Sequence, residues 1–595
     1  MKRKSFFRAL IFFLLVNAGL SVYGETLSSE NAGWTAVLSG KAICPPCQTS
    51  YGFAVLSDAK MISACTENGK VLWERKVPGH PDPFLTVFSS DFLLSVCDKN
   101  ELSLINPSGL TLWSVKVPFE IKNEPQAGLD SRIFVKGEKN IACYSITGIC
   151  KWNLETEPLR SENLMQMNDG SLIALCLAEE SGKTTAIRIS PFGEMLETIT
   201  FSGKILSATA FSSGLLLYFS DGSAGMCFIK ENKASTKWTI PHSDRAFSNT
   251  TPSYSAQFTQ LNALKGALAA NCTRGTRVII FNTFDGRVSD FFDIPQKFEE
   301  TILFKSTGNG QNVFLSGKQR AFLYTLQGTE VWKGDFPGSG DIFSNWNQII
   351  LTENTTLVLC STNWAMAGFK ISQNISRKTV PQKIQKKTYE PFLISDSSSL
   401  AFLEYSETLP ERMTGTDRIN ILKSGNYGAK EKEFLSGLKD FCCAYREFQM
   451  QKASRPSLVQ KSIFERDYTG VENAIMQLPE FGTDFFVQDL ASIIRNESNQ
   501  ALLTAALRAV SECAFDPDSR ILKNIEIRAK SLPASSDSAF IAICDAVLEI
   551  CRFMGRPALF SYGMDIITVF LNPQYSSGVR DYARQTLSKI ARLKI

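Results

Sequence analysis

The chain has 595 residues, enough for two domains, and its formal net charge at pH 7 is +4. Charged residues make up 21% of the sequence and hydrophobic residues 44%, which is typical of a folded globular protein. The nearly balanced charge excludes the strongly basic footprint of a nucleic-acid-binding protein.

The N-terminus has the features of a secretory signal peptide. A basic start, Lys2–Lys4, precedes the apolar run Ala9–Val16, and Gly24 is the last of the small residues before Glu25. This order predicts cleavage before Glu25, so residues 1–24 would be removed on export. Because no Cys stands at the cleavage point, a lipoprotein signal is not expected.

Export sets the expected location of the mature protein. Removal of the signal peptide would leave 59 Lys and Arg against 59 Asp and Glu. No later stretch reaches the ~20 uninterrupted apolar residues that a transmembrane helix needs. We therefore expect a mature protein without a transmembrane segment in the periplasm, with secretion or peripheral attachment to the outer membrane as the alternative.

A sequence repeat organises the chain from about residue 30 to residue 375. Its clearest copy has Gly69 in a turn, Trp73 four residues later and Pro78 at the end of a strand. The Gly residues at 69, 109, 148 and 193 are 40, 39 and 45 positions apart. This is the period of a four-stranded β-propeller blade, ~40–45 residues.

The repeat predicts how the blades join. Gly takes the positive φ that the turn requires, and the Trp would bury its ring against the neighbouring blade. In a degenerate copy, Asp290 stands where the Trp would be, and Glu197 does so in another. The predicted blade-docking residues are Gly69, Trp73, Gly109, Trp113, Gly148, Trp152, Trp238, Gly328 and Trp332.

The number of repeats predicts an eight-bladed propeller, with seven blades as the alternative. Nine outer-strand positions can be counted, from Trp34 to a degenerate one near Phe369, and this is one more than eight blades need. The simplest solution is that the segment around Trp34 completes the last blade and closes the ring. The hairpin-like stretch Phe392–Tyr405 could share that closure.

The periodicity becomes helical after about Thr408. Helices are predicted over Ala501–Cys513, Asp518–Leu532, Ser536–Phe553 and Ser577–Leu593, with one more that begins near Pro557. The predicted organisation is a signal peptide (1–24), a propeller (25–376), a linker with the closing hairpin (377–415) and a helical domain (416–595). The stretch Val579–Leu587 resembles the second helix of HEAT and armadillo repeats, which implies stacked helix pairs.

Side chains that could carry chemistry do not form a convincing constellation. His80 and His242 follow outer strands of different units, so both are expected in surface loops that connect blades. Cys44 and Cys47 have the spacing of a redox pair but lie in a strand or its loop. A structural disulfide or two unreactive thiols is favoured over catalysis. Gly182-Lys183-Thr184 is interpreted as a hairpin turn, because the earlier Gly of a phosphate loop is missing.

The repeat resembles a known family. Ala64–Trp73 and Asn106–Trp113 are similar to the tryptophan-docking motif of pyrroloquinoline quinone (PQQ) dehydrogenases and their non-enzymatic relatives. Those relatives include propeller lipoproteins that help to assemble outer-membrane β-barrels. The dehydrogenases place a vicinal Cys pair against the quinone, whereas the pair here, Cys442-Cys443, falls in the helical part. The calcium ligands and catalytic Asp of the dehydrogenases have no counterpart that we can assign.

The sequence thus favours an exported, non-enzymatic scaffold or adaptor with a propeller and a HEAT-like helical domain. Its partners would be other proteins of the cell envelope, and no catalytic, cofactor-binding or metal-binding residue is assigned. The alternative is a quinone- or metal-dependent oxidoreductase of the PQQ dehydrogenase type.

Overall fold

The computed structural model describes residues 25–371, apart from short stretches in the loops, and residues 483–593, with isolated positions between 472 and 479. The predicted signal peptide, the linker 377–415 and the hairpin Phe392–Tyr405 lie outside the described residues.

The described N-terminal part folds into eight sheets, each built on a four-stranded antiparallel blade. Blade 1 consists of β3 Cys47–Thr49, β4 Gly52–Leu56, β5 Met61–Thr66 and β6 Val71–Lys76, and blade 2 of β7 Pro81–Phe88, β8 Phe92–Cys97, β9 Glu101–Ile105 and β10 Thr111–Lys116. Blade 3 consists of β11 Gln126–Ala127, β12 Ile133–Lys136, β13 Asn140–Tyr144 and β14 Cys150–Glu155, and blade 4 of β15 Met165–Gln166, β16 Leu172–Glu180, β17 Lys183–Ile189 and β18 Met195–Thr200.

Blades 5 to 8 continue the same order, and the N-terminal strands β1 Glu25–Thr26 and β2 Trp34–Val37 join blades 7 and 8. Blade 5 consists of β19 Ile205–Phe211, β20 Gly214–Phe219, β21 Ala224–Lys230 and β22 Lys233–Ile240, and blade 6 of β23 Gln257–Asn262, β24 Lys265–Cys272, β25 Gly275–Asn282 and β26 Val288–Ile294. Blade 7 contains β27 Leu303–Ser306, β28 Asn312–Ser316, β29 Arg320–Thr325 and β30 Glu330–Asp335, and blade 8 contains β31 Trp346–Leu351, β32 Thr356–Ser361 and β33 Ala365–Lys370.

The N-terminus closes the ring. Strand β2 is the outer strand of blade 8 and pairs antiparallel with β33, with Trp34 opposite Gly368. The prediction of eight blades, with the Trp34 segment completing the last one, is confirmed. Phe369, which the repeat count placed on an outer strand, belongs to the third strand of blade 8, because β2 takes the outer position.

Hydrophobic cores lie between successive blades all the way round the ring. The core between blades 8 and 1 joins Val358 and Met366 to Phe53 and Val55, all of them buried. Each blade therefore buries both faces of its sheet, which is where the alternating side chains of a strand belong.

A β-bulge precedes the Trp position of the repeat in blades 1 to 7. In blade 1, Ala64 pairs with Trp73 and the next residue, Cys65, pairs with Val71, so that Leu72 is the extra residue. The same shift occurs one residue before Trp113, Trp152, Glu197, Trp238, Asp290 and Trp332. A bulge redirects the side chains that follow it, so the repeat encodes a kink as well as a ring contact.

The redirected Trp lies on the Gly turn of the next blade. A Cβ on Gly109 would come within 2.8 Å of the Trp73 ring, and Gly109 has φ +81°. The Trp73 Nε1 donates a hydrogen bond of 2.8 Å to the carbonyl of Pro107 in the same turn. The same ring-on-glycine contact joins Trp34 to Gly69, Trp113 to Gly148, Trp152 to Gly193 and Trp238 to Gly286.

The degenerate copies replace this contact in different ways. Glu197 forms an ion pair of 3.1 Å with Arg188 on the neighbouring strand, and both side chains are largely buried. In blade 6 the ring that lies on Gly328 belongs to Phe292, two residues after the degenerate position Asp290. These interfaces keep the bulge but not the Trp.

The C-terminal part consists of helices within the described range: α1 Thr483–Asn496, α2 Gln500–Cys513, α3 Arg520–Ser531, α4 Asp537–Met554, α5 Pro557–Thr568 and α6 Ser577–Arg592. Helices α2, α4 and α6 pack side by side, α1 packs on α3, and α5 packs on α6. The helical fold class is confirmed, and the HEAT or armadillo type remains a prediction.

These helices begin and end at residue types that are typical of helix ends. The Asn499 side chain accepts hydrogen bonds from the first N–H groups of α2, and the Ser576 hydroxyl does the same for α6. Gly555 ends α4 in the left-handed conformation, and Pro557 begins α5.

We expect Trp73→Ala to lower the free energy of unfolding of the propeller by ~3–5 kcal/mol, because it removes a ring packed against the next blade. Leu72→Ala is the matched control, since Leu72 is the neighbouring bulge residue and is half exposed. It should change stability by less than ~0.5 kcal/mol. Urea denaturation of both variants makes the comparison, and similar losses would contradict the docking role of Trp73.

Candidate interaction site

The strand order gives the propeller two different faces. Within each blade the strands alternate in direction, so the turns between strands one and two and between strands three and four lie at one end. We call this end the turn face. The turn between strands two and three and the link to the next blade lie at the other end, which we call the link face.

The turn face of blade 2 contacts the helical part. The Phe92 ring lies 6.5 Å from the Phe515 ring and 5.5 Å from the Phe553 ring, measured between centroids. All three side chains are buried. The core between blades 2 and 3 is therefore continuous with the core of the helices, and burial of apolar surface is the main force that holds them together.

A hydrogen bond fixes the register of this contact. Asn106, in the turn between the third and fourth strands of blade 2, donates from Nδ2 to the carbonyl of Arg552 at 2.8 Å. Arg552 lies in the last turn of α4, where helix carbonyls have no partner within the helix. Gly555 makes the close approach feasible, because a Cβ there would lie 2.5 Å from the Asn106 amide. A propeller side chain thus caps a helix of the C-terminal part.

A buried carboxyl group lies beside this junction. Asp516 follows Phe515 and accepts hydrogen bonds from the N–H groups of Ile521 at 3.0 Å and Leu522 at 2.9 Å, at the start of α3. Burial raises the pKa of Asp516 to about 6, although the two N–H donors act in the opposite direction. The residue positions the turn that carries Phe515.

The link face of blade 8 exposes three large apolar side chains. Val37 is 78% exposed, Trp364 55% and Ile342 44%. They are close together, because the N–H of Leu38 donates to the carbonyl of Trp364 at 2.7 Å. The Ser361 hydroxyl, from the same turn as Trp364, donates to the carbonyl of Ile342 at 2.6 Å. We call Val37, Ile342 and Trp364 the blade-8 patch.

The backbone at Trp364 is in the left-handed conformation, with φ +61°. In the equivalent turn of blade 1 this position is Lys60, and in blade 5 a positive φ is supplied by Gly222. A bulky residue in this conformation is an outlier that costs of order 1–3 kcal/mol. The turn does not require a Trp, and the exposed ring gains little from burial here, so a role outside the fold is the better explanation.

A second exposed aromatic lies on the link face, between blades 5 and 6. Tyr254 is 56% exposed, and its ring lies 5.5 Å from the Arg160 guanidinium and 5.6 Å from the Lys204 ammonium. These cation–π contacts provide partners for the ring within the protein itself. Tyr254 therefore differs from Trp364 in having a local structural role.

Cys44 and Cys47 lie in surroundings that disfavour the thiolate form. Burial raises the pKa of the Cys44 thiol to about 12, and burial also raises the pKa of Cys47 well above its usual range. Both are thiols in the structure, and a disulfide between them remains a prediction. Since the thiolate is the reactive form, these environments disfavour redox catalysis. Cys442 and Cys443 lie outside the described residues.

The other candidates lie apart from one another. His80 and His242 lie in the links after blades 1 and 5, and Gly182 lies in the hairpin between β16 and β17. Across the described ranges no three His, Cys, Asp or Glu side chains are grouped closely enough to hold a metal ion. The sequence did not indicate that Asn106 contacts Arg552, that Gly555 permits this approach or that Trp364 is exposed. For Trp364, its position outside the Gly–Trp spacing of the repeat was the only signal that the sequence offered.

A protein-family model matches the part of the chain in which the repeat is clearest. Residues 58–194 match the family model described as outer membrane protein assembly factor BamB, and this stretch contains the best-preserved Gly–Trp copies. The resemblance of the repeat is therefore confirmed over that stretch. A search of curated proteins found no significant match.

Several solved structures are similar to this chain at low identity. BamB from Moraxella catarrhalis is 11% identical, and the match covers 57% of this chain and 99% of that chain with a TM-score of 0.41. Sqt1 from Saccharomyces cerevisiae is 10% identical, with 57% and 98% covered and a TM-score of 0.43. The WD40 domain of Neurospora crassa Pan2 is 7% identical, with 48% and 88% covered and a TM-score of 0.34.

Within the described parts of the chain, no helix combines the length and the apolar character needed to cross a bilayer.

We expect Gly555→Ala to weaken the junction between propeller and helices. Alanine in the left-handed conformation costs about 1–2 kcal/mol, and its Cβ would collide with Asn106. Gly578→Ala is the matched control, because Gly578 lies inside α6 and a Cβ there meets only the Ser576 hydroxyl at 3.9 Å. The control should be neutral or stabilising.

Hydrogen exchange measures this difference directly. In Gly555→Ala the amides of Asn106 and of the turns around Phe515 and Gly555 should exchange faster than in the native protein, because the junction opens more often. Unchanged exchange at all of these amides would show that the junction does not depend on the close approach.

Proposed function

We propose that this protein is an exported, non-enzymatic scaffold that binds other proteins of the cell envelope. The observation that carries the proposal is the blade-8 patch, in which Trp364 is exposed on a strained backbone with no evident role in the fold. Exposed aromatic and aliphatic side chains are the groups that dominate protein–protein interfaces.

The architecture supports binding at the link face. The turn face of blade 2 is covered by the helical part through Phe92 and Asn106, whereas Val37, Ile342 and Trp364 are exposed at the opposite end of blade 8. The protein would hold its own helices with one face and a partner with the other.

Two further observations favour the cell envelope and a non-catalytic role. The predicted signal peptide directs the chain to export, and residues 58–194 match the model of an outer membrane protein assembly factor. The oxidoreductase alternative would be supported by a reactive thiol, but burial raises the pKa of both Cys44 and Cys47.

Trp364→Gly tests the proposal without the usual loss of folding. Glycine adopts φ +61° without strain, so the melting temperature should stay the same or rise. The proteins that the tagged native chain retains after cross-linking in cells would be quantified by mass spectrometry. We expect recovery of the specific partner to fall at least tenfold in Trp364→Gly.

Tyr254→Ala is the matched control, since Tyr254 is an equally exposed aromatic on the same face. It should retain the partner. Equal recovery with Trp364→Gly and the native chain would refute the patch as the binding site. Export is checked separately by N-terminal sequencing, which should find Glu25 as the first residue of the mature protein.

A further inference from the structure

The outer edge of blade 8 differs from the outer edges of the other blades. Strand β2 has the sequence Trp-Thr-Ala-Val and carries no charged residue. The outer strands β6, β10, β14, β18, β22, β26 and β30 each contain at least one Lys, Arg, Asp or Glu. Charges on an edge strand prevent other chains from pairing with it. Only β2 lacks this protection.

Backbone groups on β2 face outward in a fixed pattern. The N–H of Leu38 donates to the carbonyl of Trp364, and the register continues with Ala36 opposite Met366 and Trp34 opposite Gly368. In an antiparallel ladder, alternate residues bond to the partner strand. Thr35 and Val37 therefore direct their N–H and C=O groups to the outer edge. Both residues are exposed.

The neighbouring blade shows that an outer edge of this propeller takes an added strand. Strand β1 lies parallel to β30 of blade 7, with Glu25 opposite Gly334 and Thr26 opposite Asp335. The N–H of Leu27 donates to the carbonyl of Asp335 at 2.9 Å, and the Leu27 side chain is buried in the core beside Trp332. An added strand is thus held by main-chain hydrogen bonds and by one apolar side chain. Among the described strands, none pairs with the outer edge of β2.

We propose that β2 accepts an extended strand from a partner protein, which would pair with Thr35 and Val37 and add a fifth strand to blade 8. The partner segment would be uncharged, with apolar side chains at alternate positions that contact Val37 at the link-face end. Such strand addition takes affinity from the main chain and selectivity from alternate side chains. The inference rests on the proposed function and names the kind of partner segment and how it binds.

Thr35→Pro tests the pairing at one atom. Proline removes the N–H that points outward and leaves the bonds to β33 in place, a position where edge strands tolerate proline. Thr35→Val is the matched control, because it keeps the N–H and has nearly the same shape. The probe is a fluorescein-labelled peptide of alternating Thr and Val with a terminal Lys at each end, and binding is followed by fluorescence anisotropy.

We expect the native protein and Thr35→Val to bind the peptide, and Thr35→Pro to bind it at least tenfold more weakly. A peptide N-methylated at its central amides should also bind at least tenfold more weakly, because it cannot pair through its main chain. Equal binding by Thr35→Pro and Thr35→Val, or equal binding of the N-methylated peptide, would overturn the inference.

Two further outcomes separate this inference from the proposed function. If Thr35→Pro still recovers the cellular partner whose recovery Trp364→Gly reduces, the strand addition is wrong and the scaffold proposal stands. If the native protein forms concentration-dependent dimers that Thr35→Pro abolishes, the edge pairs with a second copy and the partner assignment is overturned.

Discussion

The contact of a Trp ring with a Gly turn on the next blade is the interaction on which the rest of this structure depends. In blades 1, 2, 3 and 5 a bulge directs the ring onto a glycine that has a positive φ and no Cβ, as at Trp73 and Gly109. In blade 8 the Trp34 ring reaches Gly69 from β2, which pairs with β33 without a bulge. The ring and the glycine are thus the constant elements of these contacts. This explains why only a few positions of the repeat are the same from blade to blade, while the other residues of the blades vary.

Where the Trp is missing, another interaction takes over. The Glu197–Arg188 ion pair occupies the Trp position of blade 4, and in blade 6 the Phe292 ring lies on Gly328. A further contact supports closure of the ring: Leu27 from the N-terminus packs beside Trp332 in blade 7, and the same N-terminal segment goes on to form the outer strand of blade 8. A ring closed by its N-terminus has joined ends, which makes opening of any one blade costly.

Much of the fold could be predicted because it depends on local patterns. Gly69 and Trp73 recur at blade spacing, and Trp34 gave the closing strand once the blades were counted. The helix from Gln500 to Cys513 was predicted to within one residue by its apolar spacing and the following Pro517. Turn and helix signals act over a few residues, so a single sequence contains them.

The candidate site could not be predicted in the same way. The Asn106–Arg552 bond joins residues 446 positions apart, and no local pattern identifies a partner at that distance. Trp364 falls outside the repeat spacing, and its left-handed backbone and exposure are properties of the folded blade. The absence of charge on β2 could be interpreted only once the strand order showed that β2 is an edge strand.

We propose that the link face of blade 8 binds another protein. The most direct measurement places a photo-cross-linking amino acid at position 364 or 37, and for comparison at 254 or 284, in cells that express the native chain. Residue 284 is an exposed Phe in the turn before β26. We expect one common partner to be cross-linked from positions 364 and 37 and not from positions 254 or 284. The same partner cross-linked equally from all four positions, or from 254 and 284 alone, would contradict it.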